Sequence, residues 1–169
     1  HETRTPSPMV EMDLLRWRPF FAANLYNLVY GALVFGFFSF VPYYATVTYG
    51  TSAGEDGLIL TPRSIAMAAV SIVSSVFLIR LGYRIPMIVG ALLVSVCLVL
   101  LGQGFHDVAV GGWVVPNILL VAGIVLIAGV GIGVGGPASQ NAALDLVPEK
   151  VAAVAGLRGM FRSTGGVLG

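Results

Sequence analysis

Side chains able to do chemistry are few in this chain, and where they stand says more than how many there are. The two histidines are His1 and His106, and the one cysteine is Cys97. A single cysteine builds neither a disulfide nor a zinc framework, and its apolar neighbours give it a packing or lipid-facing role. Glu55, Asp56 and Asp107 fall in polar loops and the other acids in the end segments, so no apolar run contains a carboxylate. No paired acids, nucleophile–base set or metal-ligand cluster forms from these residues. That pattern speaks against an enzyme and calls for no cofactor and no metal. Gly131, Gly133 and Gly136 match a dinucleotide GxGxxG literally, but that fingerprint needs a strand before it and an acid about twenty residues on. Here it lies at the end of a long apolar run, followed by Pro137, and carries no nucleotide reading. More telling are uncharged polar residues inside apolar sequence: Asn24, Tyr26, Asn27 and Tyr30, with Gln140 and Asn141 after Pro137. An amide in hydrocarbon is costly unless paired, so it faces protein or a water-filled cavity. Two roles stay open for it, a bond between helices or the wall of a substrate path. Asn24, Asn27, Tyr30, Gln140 and Asn141 are the candidates for that wall.

The elements that must position these residues follow from composition. Hydrophobic residues make up 57% of the chain and charged residues 10%, against roughly 45–50% and 25% in soluble domains. A net charge of +1 suggests no nucleic-acid partner. About 20 apolar helical residues cross a bilayer core about 30 Å thick. The uncharged runs predict an all-α polytopic membrane protein. Its spans lie at about 20–44, 60–79, 85–102 and 114–137, and a further span starts at 164. Residues 1–18 read as a linker, Gly50–Gly57 as a loop and Asp145–Arg162 as a loop or interfacial segment. Pro137 is expected to kink or end its helix. The chain opens without methionine or a signal-like segment and stops as a new span begins, as a piece of a longer protein would.

Basic residues orient the spans. Arg4, Arg16 and Arg18 precede the first, Arg80 and Arg84 join the second and third, and Lys150, Arg158 and Arg162 follow the fourth. Only Arg63, expected to snorkel to the headgroups, falls on the other side. The positive-inside bias therefore places the linker, the short turn and the C-terminal segment in the cytoplasm. The third span, nearly all Leu, Val, Ile and Ala, reads as peripheral. The second has a small, mildly polar face of Ser64, Met67, Ser71, Ser74 or Ser75, and Leu78. In the fourth, Gly129–Gly133 and Gly131–Gly135 are small-xxx-small pairs that let helix backbones approach closely.

Three segments carry a family resemblance. Arg80-Leu81-Gly82-Tyr83-Arg84 resembles the short cytoplasmic loop of major facilitator superfamily transporters, with Ile79 where that loop has an aspartate. Gly131 through Gly135 and Gly136 to Pro137, running on to Asn141, Leu144, Val147, Pro148 and Glu149, is similar to the family's tenth helix and the loop after it. Gly156–Arg158 and Arg162–Gly166 are similar to the lead into its eleventh. The resemblance covers about residues 10–169 and is closest to the fourteen-span drug:proton antiporter group. It implies that residues 19–169 are part of the second six-helix half and that the four spans are helices seven to ten of the twelve-helix core. Helices seven and ten would then line the cavity and nine would face lipid. It further implies a multi-pass protein of the plasma or inner membrane, exporting small drug-like molecules in exchange for protons by alternating access. The partners would be the bilayer, a small-molecule substrate, protons and the missing half of the same transporter. An importer of a small metabolite on this fold and a stand-alone four-helix structural membrane protein are the alternatives.

Overall fold

A computed structural model describes residues 16–110 and 113–169; residues 1–15 of the linker, and with them His1 and Arg4, lie outside the described residues. The described residues are all-α apart from one minimal antiparallel hairpin, Ala109–Val110 with Trp113–Val114. Helix α1 (Arg18–Gly31) starts with Pro19 in its first turn, where a missing N–H costs nothing. A π-helical stretch, Ala32–Phe37, leads from it into α2 (Phe38–Tyr49), which contains Pro42. The wider π turn lies just ahead of the carbonyl four residues before Pro42, the one a proline ring crowds. Then follow α3 (Ala53–Leu81), α4 (Arg84–Gly102), α5 (Asn117–Leu144), a 3-10 turn (Pro148–Lys150) and α6 (Val151–Leu168). Four stretches among the described residues are long and apolar enough to cross a membrane: Arg18–Tyr49, Gly54–Leu78, Arg84–Gly102 and Asn117–Leu144.

Three elements differ from the sequence expectation, each for a local reason. Helix α3 begins at Ala53, inside the expected loop. The Glu55 carboxylate reaches back to accept the Ser52 N–H at 2.7 Å, and Asp56 accepts the Thr51 hydroxyl at 2.6 Å. Acids that look like loop polarity in fact cap the helix and offset its dipole. Helix α5 runs through Pro137 to Leu144 rather than stopping there. Ser74 Oγ donates at 3.0 Å to the carbonyl of Val134, one residue past the carbonyl that Pro137 leaves without its amide partner. The segment after Asp145 is helical from Val151. Val154, Leu157 and Phe161 supply its apolar stripe.

The described residues form two compact units, 16–37 with 139–169, and 38–138. In the first, α1 and α6 run in the same sense, Leu28 beside Gly165 and Ala32 beside Gly169. The Gly31 Cα lies against the Arg162 backbone, and the Gly165 Cα against the Leu28 carbonyl, with no room for a side chain at either crossing. Phe20 and Ala23 form a core there with Ala143, Val147, Val154 and Leu157.

In the second unit the glycines of α5 divide between two neighbours. A methyl on Gly133 would sit 2.9 Å from the Met67 carbonyl oxygen of α3, and Gly129 abuts the Arg63 backbone. Gly131 instead meets the Gly90 carbonyl of α4, and Gly135 also lies against Gly90. Helix α4 thus has two sides. Gly90, Val94, Cys97 and Leu101 are buried, while Ile88, Leu92, Val96 and Val99 are exposed. Cys97 is therefore a packing residue, and the face of α3 that meets α5 is Arg63, Met67, Val70 and Ser74. Ser64 and Ser75 only bond carbonyls of their own helix. Arg63 is half-buried with its guanidinium 4.8 Å from the Phe38 ring centre, a cation–π contact in place of a free reach to the headgroups.

The far ends of α2 and α4 are also tied together. Tyr44 Oη donates to the Leu101 carbonyl at 2.9 Å, and Tyr49 Oη to the Phe105 carbonyl at 2.8 Å. His106 has one ring nitrogen 2.7 Å from the Gly104 carbonyl oxygen and the other 3.3 Å from that of Thr48. Only the imidazolium donates from both nitrogens, so these carbonyls raise the His106 pKa above its ordinary value of 6.5.

Two outcomes are expected. Gly90→Leu forces a side chain into a gap where even a methyl would lie 2.6 Å from the Gly131 oxygen; it costs about 1–3 kcal/mol or more and lowers the melting temperature of the detergent-solubilised protein. Gly123→Leu, where nothing lies within 4 Å, leaves it unchanged. The His106 tie contributes stability at pH below the free imidazole value and loses it as pH rises through the higher folded-state pKa. NMR titration of His106 should show a midpoint above 6.5; a midpoint at or below it contradicts the geometry.

Candidate functional site

Helix α1 turns Asn24, Asn27 and Tyr30 into the interior of its own unit. Both asparagines are fully buried and Tyr30 is 2% exposed. Asn24 Nδ2 donates to the Phe20 carbonyl at 2.9 Å, one turn back in its own helix. Asn27 Nδ2 does the same with Ala23 at 2.8 Å and also reaches the Ser139 carbonyl of α5 at 3.4 Å. These bonds use only the donor half of each amide. Asn24 Oδ1 and Asn27 Oδ1 are buried with no hydrogen-bond partner among the described residues.

Facing them in the same unit is α6. The stripe Val154, Leu157, Arg158, Phe161, Arg162 and Gly165 falls at i, i+3, i+4, i+7, i+8 and i+11, one continuous helix face. Its apolar members build the core, and its arginines are carried inward with them. Arg162 lies with its guanidinium carbon 5.4 Å from the Tyr30 ring centre and 5.0 Å from that of Phe35. Tyr30 in turn stacks on Tyr26 with ring centres 5.8 Å apart. Arg158 Nε and Nη1 and Arg162 Nε are buried without a hydrogen-bond partner among the described residues.

One small unit therefore holds unpaired acceptors on α1 and unpaired donors on α6. Each costs about 1–3 kcal/mol if left so, and more than nine-tenths of buried polar groups in folded proteins are paired. Water, a polar ligand or protein outside the chain can complete them. Open acceptors and donors of this kind can bind a polar group.

The candidate residues from sequence are not all drawn into this place. Gln140 and Asn141 are exposed near the end of α5, whereas the adjacent Ser139 is buried and receives Asn27. Arg80, Gly82 and Arg84 form the turn between α3 and α4 in the other unit. There Gly82 takes φ 65° with its N–H on the Leu78 carbonyl, ending α3 as a side-chain-bearing residue would not readily do. Arg158 and Arg162, placed by residue type in an interfacial segment, are the functional candidates missed. Their i, i+4 spacing inside an apolar stripe is the signal that finds them.

Comparison with known proteins agrees with a transport role. The family model of the Major Facilitator Superfamily matches residues 2–169. Multidrug transporter protein MdtP of Bacillus subtilis (strain 168) is 28% identical over 169 residues, 99% of this chain and 30% of that protein. Multidrug resistance protein 3 of the same organism is 25% identical over 108 residues, 64% of this chain and 21% of that protein. The Aspyridones efflux protein of Neocamarosporium betae is 29% identical over 127 residues, 75% of this chain and 21% of that protein. No solved structure matches. The chain thus spans between a fifth and a third of the length of these curated relatives. With its membrane-length helices and a family match that runs almost from end to end, this chain belongs to the major facilitator superfamily.

Proposed function

We propose that the chain is part of a secondary active transporter that exports small drug-like molecules in exchange for protons by alternating access. The observation that carries the reading is the polar interior of the first unit. There Asn24 and Asn27 keep open acceptors and Arg158 and Arg162 keep open donors, with tyrosine rings between them. A path for amphipathic molecules needs apolar and aromatic surface with a few unsatisfied polar groups. The relatives support the direction of transport, since they are named for multidrug transport, multidrug resistance and efflux.

Proton coupling needs a titrating acid at membrane depth. In this reading that acid lies in the other half of the transporter, and the residues here contribute the wall: Asn24, Asn27, Tyr30 and, at the end of α5, Gln140 and Asn141. The topology is the one set by charge. The linker 1–18, the Arg80–Arg84 turn and the C-terminal segment face the cytoplasm. The same-sense run of α1 and α6 supports it, because each helix then starts on the side that carries its arginines.

Asn27→Ala in the full-length protein should change the efflux of at least one compound in a broad drug panel about fivefold, with membrane expression retained. The lost bond to Ser139 costs only about 1 kcal/mol, too little to unfold a membrane protein. Unchanged transport across the panel removes Asn27 from the path. Accumulation in energised cells separates export from import: the wild type should lower intracellular drug, and collapse of the proton gradient should restore it.

A further inference from the structure

The second unit contains a groove that the transport reading does not use. Its volume is about 410 Å³, and its walls include Val73 and Phe77 of α3, Ile85, Pro86 and Val89 of α4, and Val134 of α5. The one hydroxyl in its lining, that of Ser74, already donates to the Val134 carbonyl. Nothing in the walls reads a polar group, so the buried part of any occupant is apolar. Val73, Phe77, Ile85 and Val89 are all 40% exposed or more, so the groove opens on the outward face of the helix pair.

Its position along the helices selects the occupant. The lining sits in the half of α3 that leads to the Arg80–Arg84 turn and in the first turns of α4. Val73, Phe77 and Arg80 follow at i, i+4 and i+7, so the apolar stripe on that side of the groove ends in a guanidinium. Arg84 is the first residue of α4, directly before Ile85. Both arginines are exposed, the turn between them contains no acid, and neither pairs with a carboxylate among the described residues. An apolar groove whose walls lead to two exposed cations at one end matches a molecule with an acyl chain and an anionic head.

We propose that this groove binds an anionic phospholipid of the cytoplasmic leaflet, one acyl chain lying along Val73 and Phe77 and the phosphate held by Arg80 and Arg84. Basic clusters at the cytoplasmic ends of membrane helices attract such headgroups, and arginine is suited to grip phosphate through two N–H groups at once. A lipid bound there would bridge α3, α4 and α5 next to their shortest connection. The cytoplasmic side assigned to the turn rests on the orientation given under Proposed function; the lipid contact itself does not depend on what is transported.

The test uses the purified full-length protein, delipidated and exposed to phosphatidylglycerol or phosphatidylcholine, with bound lipid counted by native mass spectrometry. The wild type should retain phosphatidylglycerol at least fivefold better than phosphatidylcholine. R80Q/R84Q, exposed substitutions that leave the fold intact, should equalise the two lipids, and V73W should lower retention of both by filling the groove. Equal retention by the wild type, or a preference that survives R80Q/R84Q, overturns the site. Lipid binding unaffected by V73W overturns it as well, and means that another helix of the same protein covers the groove. A transport defect with lipid preference intact would bear on the proposed function and not on this site.

Discussion

Helices in a bilayer gain nothing by hiding apolar surface from lipid, so close backbone approach has to supply what the hydrophobic effect supplies in water. The glycine crossings among the described residues show that constraint. Helix α5 meets α3 through Gly129 and Gly133 and meets α4 through Gly131 and Gly135, the latter two against Gly90. Helix α1 meets α6 through Gly31 and Gly165. Residues two apart on α5 point some 200° around the helix axis, at about 100° per residue. An alternating run of glycines therefore lets one helix seat two neighbours on opposite faces. The larger side chains of α3 and α4 are free to turn outward, as the exposed Ile72, Val76, Ile88 and Leu92 do.

Where backbones touch this closely, each polar side chain near the crossing has few choices of partner. Ser74 reaches the Val134 carbonyl near the break made by Pro137, and Asn27 reaches the Ser139 carbonyl. These bonds are of the kind that holds membrane helices together and demand no transport role. What goes beyond packing is the surplus. The amide oxygens of Asn24 and Asn27, and guanidinium nitrogens of Arg158 and Arg162, are enclosed without a partner among the described residues. Packing alone would select leucine or alanine at such places.

Much of this was legible in the sequence because the bilayer constrains it so strongly. Four uncharged runs had to be helices, since no other open element satisfies its backbone in hydrocarbon, and small-xxx-small spacing pointed to α5 as the packing helix. The errors cluster at the helix ends, where the solvent changes and composition stops being decisive. Glu55 and Asp56 read as loop because acids do not belong in a span, yet both stand in the first turn of α3, where the Glu55 carboxylate caps the Ser52 N–H. Pro137 read as a kink or an end, yet α5 continues through it to Leu144, with the Ser74 hydroxyl on the Val134 carbonyl beside the break. Asp145–Arg162 read as a loop or interfacial segment because its stripe mixes apolar residues with arginine, yet it is helical from Val151. The asparagines were identified by residue type alone, but their unequal partners, Phe20 for one and Ser139 for the other, needed the tertiary fold.

Charge counting treats all arginines alike, and the fold separates them by their surroundings. Arg80 and Arg84 extend from a tight turn and stay exposed, with Ile79 before them in place of an acid. Arg158 and Arg162 stand on the packed face of a helix and are drawn inward with Leu157 and Phe161. A site whose polar groups were all bonded to one another would be stable, but it would have nothing to offer a ligand. A site left open gives up stability for ligand exchange, and within its own unit the crossing of α1 on α6 at Gly31 and Gly165 holds the backbones that carry it close together. In the proposed transport reading, that crossing keeps the frame tight enough for the amides to stay open until water, substrate or other protein meets them.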